Sequence, residues 1–331
     1  YFGVATNPPP PTDPTLPALD QITLGPDNNL WFTQPRDDQI GMITPGGAVT
    51  EFNVSPSGAK PDAITRGPDG NLWFTAPGAN LIGRITTGGS ITTFPGAASG
   101  AQDITAGPDG ALWFTESGGN SIGRITPSGA VTNHFPVPTA GAEPTGITQG
   151  PGGGMWFTES AANQIAQIST SGTVTEYPGA GSAPSAITGG ADGALWFTQS
   201  LGNAIGRSTT AGAITNHFAV PTPGSEPSDI TAGPDGALWF TEFAANKIGR
   251  IATAAPVVVP PPPVKPLVRK KCKVPKVKGL TVKKAVKKLK RAKCKYKVKG
   301  KGRVTKTSPK AGKRTRKTVK VTAKPKRRRS R

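Results

Sequence analysis

Histidine, cysteine and aromatic side chains are scarce in this chain of 331 residues, which holds 2 His, 2 Cys and 6% aromatics. With so few His and Cys, no cluster has the spacing of a zinc-type centre, and no Ser-His-Asp arrangement is visible. No run of 18 or more apolar residues occurs, so nothing qualifies as a membrane-spanning helix. Hydrophobic content, at 35%, lies below the usual range for a compact globular chain. Acidic residues are missing from one stretch altogether. Residues 264–331 hold 32 Lys/Arg and no Asp or Glu, whereas residues 1–254 hold all 19 acidic residues and 8 Lys/Arg. The overall charge of +21 therefore averages an acidic half and a basic half, an asymmetry that marks a functional tail or domain. The chain starts at Tyr1, without an initiator Met or a signal peptide, as a processed chain or a fragment would.

Glycine (43) and proline (35) are abundant, which suits many short strands joined by turns. The tripeptide Trp-Phe-Thr recurs with Trp at 31, 73, 113, 156, 196 and 239, spaced 40 to 43 residues apart. One unit runs from Ile104 to Phe135 and holds four β-prone runs: Ile104–Ala106, Leu112–Thr115, Ile122–Thr126 and Val131–Phe135. Asp109-Gly110 and Ser128-Gly129 are turn signals between them. Four antiparallel strands per repeat of about 40 residues describe a β-propeller blade, here called strands a to d from the axis outward. The Trp and Phe of strand b are expected between adjacent blades, because one sheet cannot bury both of its faces alone.

Six units are visible, and the sixth lacks strand d. Tyr1-Phe-Gly-Val4, followed by Pro8–Pro11 and Ile22, parallels His217-Phe-Ala-Val220, Pro221 to Pro227, and Ile230. Residues 1–4 are thus expected to supply the missing strand and close a six-bladed ring, the alternative being a seventh blade upstream of a truncated start.

Strand order places the b–c loops and the d-to-a crossovers at one mouth of the central channel. The expected ligand mouth is Gln34, Asp62, Asp103, Glu116, Glu159, Gln199 and Asp229, with Asp20 among the crossover ends. Such an acidic funnel suits a cation, a divalent metal or a polar ligand. The same residues also fit a repeat whose strand ends need only polar groups. His134 and His217 stand in Thr-Asn-His-Phe on outer strands, one residue longer than Val174-Thr-Glu-Tyr177, which points to a β-bulge far from the channel.

The signature Ile-Thr-x-Gly-Pro-Asp-Gly-x-Leu-Trp-Phe-Thr-Glu, then Asn-x-Ile-Gly-Arg-Ile-Thr and Val-Thr-Glu-Phe, resembles the streptogramin B lyases over residues 1–254. The resemblance implies a seven-bladed propeller and Mg²⁺-dependent opening of a cyclic depsipeptide by elimination. Histidines at the entry to strand a would act in it, with glutamates nearby. The matching steps here read Asp20-Gln-Ile, Pro61-Asp-Ala-Ile, Gln102-Asp-Ile, Pro144-Thr-Gly-Ile, Pro184-Ser-Ala-Ile and Pro227-Ser-Asp-Ile, none with His. Glu143 and Glu226 do match a family Glu-Pro step. The catalytic candidates are Glu143, Glu226 and Glu242, with Glu226 and Glu242 as candidates for a metal, Mg²⁺ if the chain is a lyase.

Pro256–Pro266 reads as a polyproline II spacer within a linker spanning 255–268. Beyond it come Val274-Pro275, Gly279, an amphipathic helix with Val282, Ala285, Val286 and Leu289 on one face, and strand-like runs Tyr296–Val298, Val304–Thr307 and Val319–Val321. This small α+β (βαββ) order resembles a PASTA domain over 269–323, with a basic tail at 324–331. Cys272 and Cys294 could pair across it or stay free. The PASTA resemblance implies extracellular or cell-envelope placement and peptidoglycan, or an anionic wall polymer, as partner. Lys283, Lys284, Lys287, Lys288, Arg327, Arg328 and Arg329 are the polyanion-binding candidates. Tyr296 is the sole aromatic of the basic half, so it offers no base-stacking platform for sequence-specific nucleic-acid binding.

Overall fold

The computed structural model describes residues 19–253, 272–294, 296–301, 303–308, 314–315 and 319–324. The expected strand at residues 1–4, the linker at 255–268 and Arg327–Arg329 lie outside the described residues.

The first unit is a propeller of six antiparallel sheets, each with its strands in chain order. Blade 1 comprises β1 (Ile22–Leu24), β2 (Leu30–Gln34), β3 (Gln39–Ile43) and β4 (Val49–Asn53). Blade 2 comprises β5 (Ile64–Arg66), β6 (Leu72–Ala76), β7 (Leu81–Ile85) and β8 (Ile91–Pro95). Blade 3 comprises β9 (Ala101–Ala106), β10 (Leu112–Glu116), β11 (Ser121–Ile125) and β12 (Val131–Pro136). Blade 4 comprises β13 (Pro144–Gln149), β14 (Met155–Glu159), β15 (Gln164–Ile168) and β16 (Val174–Pro178). Blade 5 comprises β17 (Pro184–Gly189), β18 (Leu195–Gln199), β19 (Ala204–Ser208) and β20 (Ile214–Ala219). Blade 6 has β21 (Pro227–Ala232), β22 (Leu238–Glu242) and β23 (Lys247–Ile251).

The recurring Trp-Phe-Thr follows from the two-residue period of a strand, which sends Trp and Thr to one face and Phe to the other. In blades 1 to 5 the Trp packs on the next blade: Trp113 clusters with Met155, Phe157 and Ile168, and Trp196 with Leu238 and Phe240. On its own blade the indole stacks on an aromatic of strand d, as Trp113 does on Phe135 at 5.4 Å. In five blades the Phe covers a glycine of strand c, and in blade 4 it faces Ala166. A Cβ on Gly123 would lie 2.1 Å from the Phe114 ring, so glycine is needed for that close approach. The Thr staples neighbours. Thr115 Oγ1 accepts the Asp103 N–H of its own blade at 3.0 Å and donates to the Thr145 carbonyl of the next at 2.6 Å. The same bridge recurs from Thr33 to Asp62 and from Thr75 to Gln102, at 2.6 Å each.

The stack ends in two bare faces. Ile22, Leu24 and Leu30 of blade 1 are exposed, whereas the residues matching Ile22 and Leu30 in other blades are buried. Trp239 of blade 6 is 39% exposed against 0–2% for the other five tryptophans, and Ile248 is 70% exposed. The described residues thus form six stacked blades with an uncovered face at each end, and the strand expected to close the ring, at residues 1–4, lies outside them. Burial needs a neighbouring blade, and neither end face has one among the described residues.

The second unit contains β24 (Cys272–Lys273), α1 (Val282–Arg291), β25 (Tyr296–Lys299), β26 (Arg303–Ser308), β27 (Arg314–Thr315) and β28 (Val319–Lys324). Strand β28 lies between β25, in parallel, and β26, antiparallel, while β24 pairs with β27. Ala285 and Leu289 of α1 are buried with Val274, Val277, Val304 and Val321, a core small enough to need support from elsewhere. Cys294 in that core is disulfide-bonded.

Candidate functional site: the channel mouth

The entries to the inner strands converge on a cavity of about 370 Å³ at one end of the propeller. Asp20, Asp62, Asp103 and Asp229 line it, together with neutral groups such as Gln21, Gln102, Thr145 and Ser228. The Thr staples hold these entries in place, since Thr33 and Thr75 of strand b each bind the carbonyl of an entry residue, Asp62 and Gln102. Asp103 is fixed further: Oδ1 accepts the Ile104 N–H at 2.8 Å and Oδ2 the Ile147 N–H of the next blade at 2.7 Å.

Burial and the charges of neighbouring carboxylates raise three of the four aspartates, Asp62, Asp103 and Asp229. Desolvation raises Asp62 well above the usual carboxylate range, helped by a hydrogen bond with Asp20 and by the charges of Asp20 and Asp103. Desolvation pushes Asp103 up to about 7, with the charge of Asp229 adding to the shift against its stabilising N–H contacts. Asp229 is raised by desolvation and by Asp20. A cation entering this mouth would relieve the repulsion, and such perturbed carboxylates in a cleft mark a candidate binding site.

The strand-b ends do something else. Gln34, Glu116, Glu159 and Gln199 are buried and absent from the channel wall. They share a face with the Phe of strand b, which the strand period aims across the strand-c glycine toward strand d. Gln34 Nε2 donates to Glu51 at 3.2 Å. Glu116 accepts Ser121 Oγ at 2.7 Å and His134 Nδ1 at 2.8 Å. The Gln199 amide lies 2.6 Å from His217 Nδ1. Both histidines therefore bind a polar group buried beneath strand d, and the register shifts beside them, at Arg124–Ile125 and Arg207–Ser208. Glu159 has only Gln164 Nε2, at 2.6 Å, and its Oε1 has no partner. Desolvation pushes it up to about 7, with the charge of Glu176 adding to the shift.

The three catalytic candidates do not form one cluster: Glu143 belongs to blade 4, whereas Glu226 and Glu242 are backbone neighbours in blade 6, where the Glu226 carbonyl accepts the Phe243 N–H at 3.2 Å. Glu143 and Glu226 sit in the left-handed backbone region, at φ 53° and 49°, with exposed side chains in blades 4 and 6. Glu242 lines a separate cavity with Asn246 and Lys247, and its Oε2 is buried without a partner. Among the described residues no group of three or more His, Cys, Asp or Glu could hold a metal ion. Glu226 and Glu242, the candidates for Mg²⁺, belong to no such group.

Sequence reasoning missed Gln21 and the small polar wall of Thr145, Ser185 and Ser228 as lining residues. The signal was available: strand-a entries, not strand-b ends, lie nearest the axis.

Residues 3–134 and 95–263 match the model of the virginiamycin B lyase family, and 273–323 match the PASTA domain. No curated protein matches the chain. Among solved structures, a selenomethionine-substituted virginiamycin B lyase from Staphylococcus aureus is 43% identical with a TM-score of 0.67, covering 71% of this chain and 81% of that one. A catalytically inactive histidine-to-alanine variant of the S. aureus enzyme, solved with quinupristin, is 38% identical with a TM-score of 0.67, covering 72% and 82%. A streptogramin B lyase is 40% identical with a TM-score of 0.68, covering 71% and 80%.

Proposed function

The chain belongs to the virginiamycin B lyase family, and from that premise we propose that it is an envelope-associated binding propeller rather than a working lyase. Its channel mouth takes a cationic or polar ligand, and its basic PASTA domain tethers it to an anionic wall polymer. The observation that carries the reading is the composition of the mouth: four aspartates and no histidine. A histidine-to-alanine change leaves the S. aureus enzyme catalytically inactive. Here the only histidines, His134 and His217, are on outer strands bound to Glu116 and Gln199.

PASTA domains are typical of cell-envelope proteins. Lys283, Lys284, Lys287 and Lys288 of α1 are exposed, and no acidic residue occurs anywhere in 264–331 to neutralise them. That surface attracts polyanions regardless of sequence. We propose Cys272 as the disulfide partner of Cys294, a staple that suits an oxidising, extracytoplasmic setting. Among the described residues no helix is long and apolar enough to cross a membrane.

Sedimentation with purified cell walls tests the tether. The full chain is expected to co-sediment and a chain lacking 264–331 to stay in the supernatant; equal sedimentation of both overturns the assignment. The second reading, a lyase acting on a cyclic depsipeptide, rests on family membership and predicts EDTA-sensitive turnover lost in Glu226→Ala.

A further inference from the structure

Where strand b ends, blades 1, 3, 4 and 5 bury a polar side chain. In three of them a strand-d side chain complements it. Blade 1 pairs an amide with a carboxylate, Gln34 Nε2 donating to Glu51 at 3.2 Å. Blade 3 pairs a carboxylate with an imidazole, the two Glu116 oxygens lying 3.1 and 2.8 Å from His134 Nδ1. Blade 5 pairs an amide with an imidazole, Gln199 with His217 at 2.6 Å. These strand-d partners share one register position, opposite Gly41, Gly123 and Gly206 of strand c.

Blade 4 breaks the rule. Glu159 ends β14, and Glu176 of β16 takes the register position of His134, opposite Ala166. A carboxylate is thus set against a carboxylate. Glu159 is fully buried, accepts only Gln164 Nε2 at 2.6 Å, and leaves Oε1 without a partner. A buried polar atom left unpaired calls for an explanation. Glu176 is half-buried and accepts the N–H and the hydroxyl of Thr139, at 2.8 and 3.0 Å. No Lys, Arg or His occurs between His134 and Arg207, so blade 4 has no cationic side chain of its own. In the flanking blades Arg124 and Arg207 are tied to Asp109 and Asp192. Burial and the charge of Glu176 accordingly push Glu159 up to about 7.

We propose that the Glu159–Glu176 pair is a divalent-cation site that takes Ca²⁺. The ion is to Glu159 what His134 is to Glu116 in blade 3, the positive partner of a buried carboxylate. Two carboxylates match a charge of +2, and the Thr139 hydroxyl beside Glu176 adds a neutral oxygen. An all-oxygen set selects a hard cation over a zinc-type ion. Drawn from two strands and the loop before β13, the set is irregular. That suits Ca²⁺, which takes about 6–8 oxygens in flexible geometry and fills its shell with water, better than Mg²⁺, which demands a near-ideal octahedron. Glu176 and Thr139 are both half-buried and form the solvent side of the pair, where an ion enters past rotating side chains. None of these residues lines the channel mouth, so the proposal stands independently of the mouth's ligand.

The test is calorimetric titration of the full chain, freed of divalent ions, with CaCl₂ at pH 8, together with thermal melts with and without the ion. The expected result is saturable binding with a Kd of about 10⁻⁴–10⁻³ M, as in extracellular calcium modules, and a rise in Tm that follows the Ca²⁺ concentration. Glu159→Gln and Glu176→Gln each remove one ligand charge. Each is expected to weaken that binding by about tenfold or more and to remove the Ca²⁺-dependent rise in Tm. Gln already ends strand b in blades 1 and 5, so Glu159→Gln is expected to fold. Glu51→Gln, the same change in blade 1, is expected to keep the response. Absence of Ca²⁺ binding, or a response that survives in both blade 4 variants, overturns the site. Mg²⁺ binding as tightly as Ca²⁺, or Na⁺ giving the same rise in Tm, overturns the calcium assignment.

Discussion

Blades 3 and 6 carry the same strand, Leu-Trp-Phe-Thr-Glu, at 112–116 and 238–242, yet its side chains end up in different surroundings. In blade 3 a further blade and strand d cover it: Trp113 is fully buried and stacked on Phe135, and Glu116 is held by Ser121 and His134. In blade 6 Trp239 is 39% exposed and Glu242 keeps an unpartnered Oε2. One strand sequence gives two environments because a blade borrows its burial from its neighbours.

The sharpest way to break that comparison is to delete both indoles in turn. Trp113→Ala removes a side chain buried on all sides and is expected to destabilise the propeller by about 3–5 kcal/mol. Trp239→Ala, starting from a partly exposed ring, should lose about half as much or less. Denaturant unfolding of the two variants measures the difference, and equal losses would mean that blade 6 is covered as blade 3 is.

A smaller effect is expected where blade 4 departs from its relatives. Glu159 is buried with its pKa raised from 4.5 to about 7, so its folded form holds a proton that the unfolded chain has already released between those values. The stability lost to this group therefore grows as pH rises from about 4.5 to 7, then levels off. Glu159→Gln keeps the side-chain shape and copies Gln34 and Gln199 of blades 1 and 5. It is expected to stabilise the protein by about 1–2 kcal/mol at pH 8 and by little at pH 4. Thermal melts at the two pH values check the sign, and a gain that is the same at both would show that charge is not the cause.

The blades were legible because each residue of the repeat does one job at one register position. Trp fills the gap to the next blade, Phe covers a strand-c glycine, Thr staples the inner strands and Asp109 accepts the indole N–H. The aspartate side of the mouth was also legible, since Asp62, Asp103 and Asp229 sit at strand-a entries, which lie nearest the axis. The strand-b ends were misjudged because loop order was used where strand alternation decides. Two residues after the Phe, Glu116 must share its face and turn toward strand d rather than the channel. The carboxylate pair of blade 4 was hidden because Glu159 and Glu176 come together only when strands b and d are registered on strand c. The charge contrast between the acidic propeller and the basic domain needed no structure, because it is a property of composition.

The proposed departure from a lyase rests on what lines the mouth. The propeller keeps the family's blades, while aspartate, threonine and serine stand at the inner-strand entries. Such a wall can attract a cation and hydrogen-bond a polar ligand, and it offers no histidine to move a proton. The most direct measurement is to incubate the full chain with a streptogramin B and Mg²⁺, alongside an EDTA control, and to look for the linearised product by mass spectrometry. The binding account predicts that the cyclic compound is recovered unchanged in both samples. Linear product that forms with Mg²⁺ and disappears with EDTA would contradict it and make the acidic propeller an enzyme.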